Sequence, residues 1–311
     1  MSAPPVLVLL GPTCSGKSAL AMELAKRLDG EVISCDSMQV YRGLPIGTAQ
    51  PTAQELAQVP HHLVACLEIS RPWNANLFVP EAKRRIDDIA ARGRRPIVVG
   101  GTGLYARALC YDFQLLPSDP SMAAELREAS ATEDGCARLR EELAGVGPLP
   151  EDLSRNPRHL ARAVEVFRLT GKPPWQLRSR SEKPLEPYRQ FCLLPNFEAL
   201  KARIRRRTAA MVANGWIDEC RKALEMGLAN APTAWQALGY RDIAEYLDGR
   251  GPVTVAELTE LLANRTIQYA RRQLTWFRHQ HPGACFLNFD DYRLDTLERL
   301  ADEVTEKFLT P

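Results

Sequence analysis

The chain has 311 residues, 45% of them apolar and 25% charged, with a formal net charge of +2; this balance predicts a soluble globular protein and excludes a disordered tail, a collagen-like chain or a coiled coil. No apolar run approaches the roughly 18–20 residues that span a bilayer, and Met1–Pro5 followed by the short run Val6–Leu10 lacks the features of a signal peptide. Eight cysteines without a C-x-x-C pair suggest reduced thiols and a cytoplasmic location.

Val6–Leu10 is a continuous apolar run ending in Gly-Pro, which predicts a strand buried on both faces. Lys17–Leu28 has helical spacing, Glu31–Cys35 reads as a second strand, Pro80–Arg92 as an amphipathic helix and Arg95–Gly101 as a third strand. Gln190–Leu194 and Cys285–Phe289 are the expected fourth and fifth strands. Helices are expected at Met122–Ala129, Gly135–Ala144, Arg158–Leu169, Glu198–Asn214, Trp216–Met226 and Val255–Arg278. Alternating β and α segments predict an α/β fold, a parallel sheet flanked by helices. The long gaps between the later strands predict a helical insertion domain. The expected division assigns 1–117, 152–197 and 262–311 to the core and 118–151 and 198–261 to insertions.

Gly11-Pro12-Thr13-Cys14-Ser15-Gly16-Lys17-Ser18 fits G-x-x-x-x-G-K-[ST] between a strand and a helix. Its N–H groups and helix N-terminus suit a phosphate, Lys17 can reach terminal phosphates and Ser18 can ligate Mg²⁺. By motif alone such a loop marks nucleotide binding, usually ATP. Asp36 follows the second strand, at the sheet edge where open α/β folds bind ligands; it could accept a proton or simply turn the chain. Gly100–Ala106 contains G-x-G-x-x-A, but no acidic partner ends a following strand, so a dinucleotide site is rejected. Thr102 is instead expected to project over the same edge, with the glycines allowing close approach of a ligand.

Residues 201–280 carry 13 Lys/Arg against 8 Asp/Glu, whereas 283–311 carry 3 against 7. Arg203 and Arg207 are helical neighbours suited to phosphate, although such a run is often a solvated face. Arg265, Arg271, Arg272 and Arg278, interleaved with Tyr269, Trp276 and Phe277, suit RNA, with an amphipathic core helix as the competing reading. His61 with His62, and His279 with His281 and Cys285, are weak metal candidates because their spacing matches no zinc pattern.

Taken in order, Gly11–Ser18, Asp36-Ser37-x-Gln39-Val40-Tyr41, Ile46–Ala49, Pro60–His62, Gly100–Tyr105, Arg162-Ala163-x-Glu165-Val166, Thr170–Pro173, Arg203-Ile204-x-x-Arg207, Gln236–Arg241 and Tyr269-Ala270-x-Arg272-Gln273-x-Thr275-Trp276 resemble the bacterial tRNA dimethylallyltransferases. The resemblance implies transfer of a dimethylallyl group from dimethylallyl diphosphate to N6 of the adenosine 3′ to the anticodon. It implies that the phosphate loop holds the donor's diphosphate, with Lys17 and Arg207 neutralising it and Mg²⁺ near Ser18. Asp36 would be the general base, and Thr102 would bond near the amine. Asp36, Ser37, Met38, Gln39, Thr102, Arg158, His159, Leu160, Ala161, Arg162, Gln236, Ala237, Leu238, Gly239, Tyr240 and Arg241 would contact tRNA, gripped at its anticodon stem-loop by the helical insertions. The stretch 68–78 and Asn156-Pro157-Arg158 depart from the family pattern. A monomer is expected. A small-molecule kinase, a prenyltransferase acting on free adenine nucleotides and a non-catalytic RNA-binding module are the alternatives.

Overall fold

Strands β1 (Val6–Leu10), β2 (Gly30–Ser34), β3 (His61–His62), β4 (Arg95–Gly100), β5 (Tyr188–Pro195) and β6 (Cys285–Phe289) pair in parallel in the order β3-β2-β4-β1-β5-β6. The computed structural model describes residues 5–111, 115–177 and 183–310. β1 is apolar throughout because it lies between β4 and β5 with both faces covered. Leu7, Leu9, Ile97 and Val99 point to one face, where Leu20 and Leu24 of helix Lys17–Leu28 and Leu300, Val304 and Phe308 of helix Leu294–Leu309 cover them. The other face is covered by helices Ala75–Ala91 and Gly103–Cys110, whose Phe78 and Tyr105 rings stack at 4.9 Å.

The chain therefore leaves β1 and β4, which are neighbours, towards opposite faces. That is the condition for a crevice at the carboxyl edge of an open sheet. Leu10 is in register with Gly100 on one side and Cys192 on the other, so the loops after β1, β2 and β4 emerge together there.

The chain divides into two units, Met1–Tyr111 with Glu182–Pro311, and Asp112–Ser181. The division differs from the sequence expectation: 118–151 do leave the sheet but take 152–181 with them, whereas 198–261 cluster with the sheet. Helix Phe197–Ala213 explains the second difference, because it packs along helix Val255–Gln280 and buries Leu200 and Ile204. The smaller unit has its own core of Leu126, Leu139, Leu143, Leu160 and Val164. Within it, buried Glu165 accepts hydrogen bonds from Arg162 (2.6 Å), Ser118 Oγ (2.6 Å) and the Asp119 N–H (2.9 Å).

Helix Ala75–Ala91 starts before Pro80, where the sequence suggested its beginning. Asn74 caps it by accepting from the Leu77 N–H at 3.2 Å, and Pro80 is carried in the second turn. The acidic tail proves to be the solvated face of helix Leu294–Leu309, with Asp302 paired to Arg27 at 2.6 Å.

The two histidines form the edge strand β3 rather than a metal pair. His61 Nδ1 lies 2.8 Å from the Val59 carbonyl, and His62 Nε2 lies 2.7 Å from Glu31 Oε2. Glu31, 2% exposed, also accepts from Arg92 (2.9 Å) and Arg94 (3.2 Å). Arg92 above all pushes the Glu31 carboxyl from the ordinary 4.5 down to about 2. A depressed folded-state value stabilises fully above about pH 4.5 and is lost as pH falls towards 2. Glu31→Gln should therefore lower stability by about 2–3 kcal/mol at pH 7, and thermal melts of variant and parent should converge in acid.

Candidate active site

The phosphate loop wraps away from β1 and enters helix Lys17–Leu28 through Gly16, whose φ of 87° favours glycine. The Lys17 ammonium donates to the Pro12 carbonyl at 3.1 Å. Arg207, on helix Phe197–Ala213, reaches the same loop and donates to Cys14 Sγ at 3.2 Å. Desolvation lowers the Lys17 pKa; the Asp36 carboxylate opposes that shift and Arg207 adds to it. The Ser15 hydroxyl is buried without a hydrogen-bond partner among the described residues. A helix N-terminus, an ammonium and a guanidinium thus converge on one small concavity, which is the electrostatics of an anion site.

Asp36 both turns the chain and lines the cavity. Its Oδ1 accepts from the Met38 N–H at 2.8 Å and the Gln39 N–H at 3.3 Å. Its Oδ2 has no hydrogen bond among the described residues. Thr102 does not line the cavity. Its hydroxyl oxygen accepts from the Ser37 N–H at 3.1 Å, so it braces the turn that carries Asp36.

The glycines beside Thr102 make room for side chains of a packed helix. A Cβ on Gly101 would lie 2.6 Å from Gln273 Nε2, and one on Gly103 would lie 2.2 Å from the Trp276 ring. They admit helix Val255–Gln280.

Gln39 is also held: it accepts from Ser34 Oγ at 2.8 Å and donates to the Ala49 carbonyl at 2.9 Å. The loop it meets is anchored in turn by Glu219, which accepts from the Ile46 and Gly47 N–H groups at 2.6 and 2.8 Å and from the Tyr240 hydroxyl at 2.6 Å.

These parts surround a cavity of about 690 Å³. Cationic Lys17, Arg203, Arg207 and Arg272 line it against the carboxylates of Asp36 and Glu55. Ser18, Ser37, Met38, Gln39, Gln236, Ala237 and Leu238 also contribute to the wall. The phosphate loop, the Asp36 turn and the 236–238 segment, far apart in sequence, are thus brought to one place.

Several of the residues expected at the tRNA are buried or paired within the protein. Tyr240 is fully buried on Glu219, and Leu160 and Ala161 belong to the core of the smaller unit. Arg162 spends its guanidinium on Glu165 and the Leu116 carbonyl, at 2.6 and 2.8 Å. Arg158, His159, Gln236 and Arg241 are exposed. Asn156 caps helix Pro157–Thr170 by accepting from the Arg158 N–H at 3.1 Å, so this departure from the family pattern still provides a helix start.

The helix Val255–Gln280 is amphipathic, as the competing reading of its sequence expected. Leu258, Leu262, Ile267, Leu274 and Phe277 are buried, while Arg271, Arg272 and Arg278 are exposed. His281 is buried between Gln190 (2.9 Å) and the Gly103 carbonyl (3.2 Å), and burial pushes its pKa down to about 4. It is a core histidine. Among the described residues no group of three His, Cys, Asp or Glu side chains could hold a metal ion.

Glu55, Glu219 and Gln273 are among the site residues that sequence reasoning assigned no role. Gln273 had a signal: it is a polar residue on the apolar stripe of Ile267, Ala270, Leu274 and Phe277. No helix among the described residues is long and apolar enough to cross a membrane.

The profile described as IPP transferase matches residues 39–280, and that described as Isopentenyl transferase matches residues 4–70. The chain is 42% identical to a tRNA dimethylallyltransferase of Geobacillus thermodenitrificans, over 90% of each chain. It is 43% identical to one of Stenotrophomonas maltophilia, over 97% of this chain and 96% of that one. Among solved structures, the tRNA isopentenylpyrophosphate transferase of Bacillus halodurans superposes with a TM-score of 0.70 at 34% identity, covering 98% of this chain and 96% of that one. A eukaryotic dimethylallyltransferase acting on tRNA superposes with a TM-score of 0.78 at 25% identity, covering 98% and 79%. The sheet, the cavity and these likenesses agree: the chain belongs to the IPP transferase family and is a prenyl-group transferase.

Proposed function

We propose that the chain transfers a dimethylallyl group from dimethylallyl diphosphate to N6 of the adenosine on the 3′ side of a tRNA anticodon. The observation that carries this reading is that Lys17 and Arg207, suited to an anion, share one cavity with the Asp36 carboxylate. The relatives' names supply the RNA acceptor.

In this reaction the allylic C–O bond breaks and its electron pair leaves with the diphosphate. Lys17, Arg207 and the inward N–H groups of the phosphate loop oppose the charge that develops there. The adenine amine forms the new C–N bond, and its proton passes to the Asp36 carboxylate. Thr102 holds the turn that aims Asp36.

The exposed Ser18 hydroxyl beside Lys17 suits Mg²⁺, a cation that binds few protein oxygens and keeps substrate and water oxygens. When bound, Mg²⁺ would add positive charge against the diphosphate. Gln236, Leu238 and Arg272 in the cavity wall, with exposed Arg241, supply surface for RNA.

The test incubates the protein with Mg²⁺ and dimethylallyl diphosphate, separately with an anticodon stem-loop and with AMP, and reads product masses. One prenyl addition to the stem-loop alone is expected. Prenylation of AMP alone would point to free nucleotides as the acceptor, and ATP consumption with neither product would point to a kinase.

Arg241 stacks its guanidinium on the Trp235 ring, 5.6 Å from the centroid. Arg241→Ala should weaken stem-loop binding several-fold and lower the salt slope by about one. Anisotropy titrations at three salt concentrations check this; a change in donor affinity alone would remove Arg241 from the RNA surface.

A further inference from the structure

Gln273 makes two hydrogen bonds, one to each side of the cavity. Its Oε1 accepts from the Thr13 N–H in the phosphate loop at 2.8 Å, and its Nε2 donates to the Gly101 carbonyl at 2.8 Å. Both partners are backbone groups with fixed roles, an N–H donor and a carbonyl acceptor, and the primary amide meets both without a change of protonation. The side chain is 7% exposed, and either half left unmet would be a buried polar group without compensation. Gly101 permits the approach, since a Cβ there would stand 2.6 Å from Nε2 and 3.7 Å from the Lys17 ammonium. The next residue, Thr102, receives the Ser37 N–H, and Ser37 adjoins Asp36.

We infer that Gln273 is a positioning residue that locks the phosphate loop to the Gly101–Thr102 turn, holding the donor and acceptor halves of the cavity in register. The inference rests on the donor and acceptor roles proposed above. A diphosphate seated on the loop tightens Thr13, Gln273 transmits this to Gly101, and Thr102 passes it to the turn that bears Asp36. The lock matters for rate rather than for either affinity, because in-line transfer needs the allylic carbon and the amine placed within a fraction of an ångström.

Two variants separate the halves of the lock. Gln273→Glu keeps an acceptor for Thr13 but has no donor for Gly101, and Gln273→Met removes both at similar volume. Hydrogen exchange is measured with inorganic diphosphate and Mg²⁺, alongside single-turnover transfer at saturating donor and stem-loop. In the parent, diphosphate should slow exchange both at 13–18 and at 101–106. In Gln273→Glu it should slow only 13–18, with diphosphate affinity lowered by the added charge; in the neutral Gln273→Met protection should again fail to reach 101–106, with diphosphate affinity within about threefold and the transfer rate down about 100-fold.

Protection reaching 101–106 in both variants, with transfer at the parental rate, would overturn the lock. A fall in melting temperature with unchanged turnover per folded molecule would overturn it too, as a purely structural role. A parent protein that protects both loops yet modifies no RNA would uphold the lock and overturn the acceptor assignment instead.

Discussion

Asp36→Asn should reduce turnover by about 10³-fold, within the range of general-base contributions, while stem-loop affinity stays within a few-fold of the parent. The asparagine carbonyl can still accept from the Met38 and Gln39 N–H groups, which Asp36 Oδ1 meets at 2.8 and 3.3 Å, so the turn is kept. What it cannot do is take the amine's proton. Asp36→Ala removes the turn's acceptor as well and should weaken RNA binding in addition to slowing transfer. Single-turnover rates and stem-loop titrations on both variants separate these contributions. An Asn variant with parental turnover would send the proton elsewhere.

Lys17→Met should lower the transfer rate by about 10²–10³-fold, the usual cost of removing one preorganised group that opposes developing negative charge. The methionine fills similar space, so the phosphate loop should keep its shape while losing its ammonium bond to Pro12. The lowered Lys17 pKa adds a pH signature. The protonated form is the useful one, so activity is present below that pKa and declines as pH rises through it. The variant should lack this alkaline limb. Rate profiles against pH, with calorimetric titration of inorganic diphosphate, provide the check; an unchanged alkaline limb would assign it to another group.

Much of the fold was legible because its signals are local. Val6–Leu10, Lys17–Leu28 and Cys285–Phe289 have the same bounds in the sequence reading and in the structure. A buried central strand must be apolar at every position, and a two-faced helix must repeat near 3.6 residues. The two-residue strand His61–His62 and the helix Tyr240–Leu247 were missed because they are too short to show a period. The insertion boundaries differ from the division by contacts for another reason. Helix Phe197–Ala213 carries a basic outer face like that of a separate module, and only its packing on helix Val255–Gln280 ties it to the sheet.

The place of the glycine-rich loop and of Asp36 at one sheet edge was legible, since strand–glycine–lysine–helix and a carboxylate at a strand end each carry their own physical reason. Partners were not. Tyr240, which the resemblance implied at the tRNA, spends its hydroxyl on Glu219, and Gly101 and Gly103, expected beside a ligand, make room for Gln273 and Trp276.

The sequence by itself determined the parallel sheet, the glycine-rich loop between strand and helix, the carboxylate at the next strand's end and the family resemblance, because periodicity and motif spacing act within a few turns of chain. Only the tertiary structure decided which polar groups are free to act. A hydroxyl, amide or guanidinium is available for chemistry or spent on a buried partner according to what the fold brings within about 3 Å, and those partners, Gln273 with Thr13 or Glu219 with Gly47, stand more than 170 residues apart in the chain.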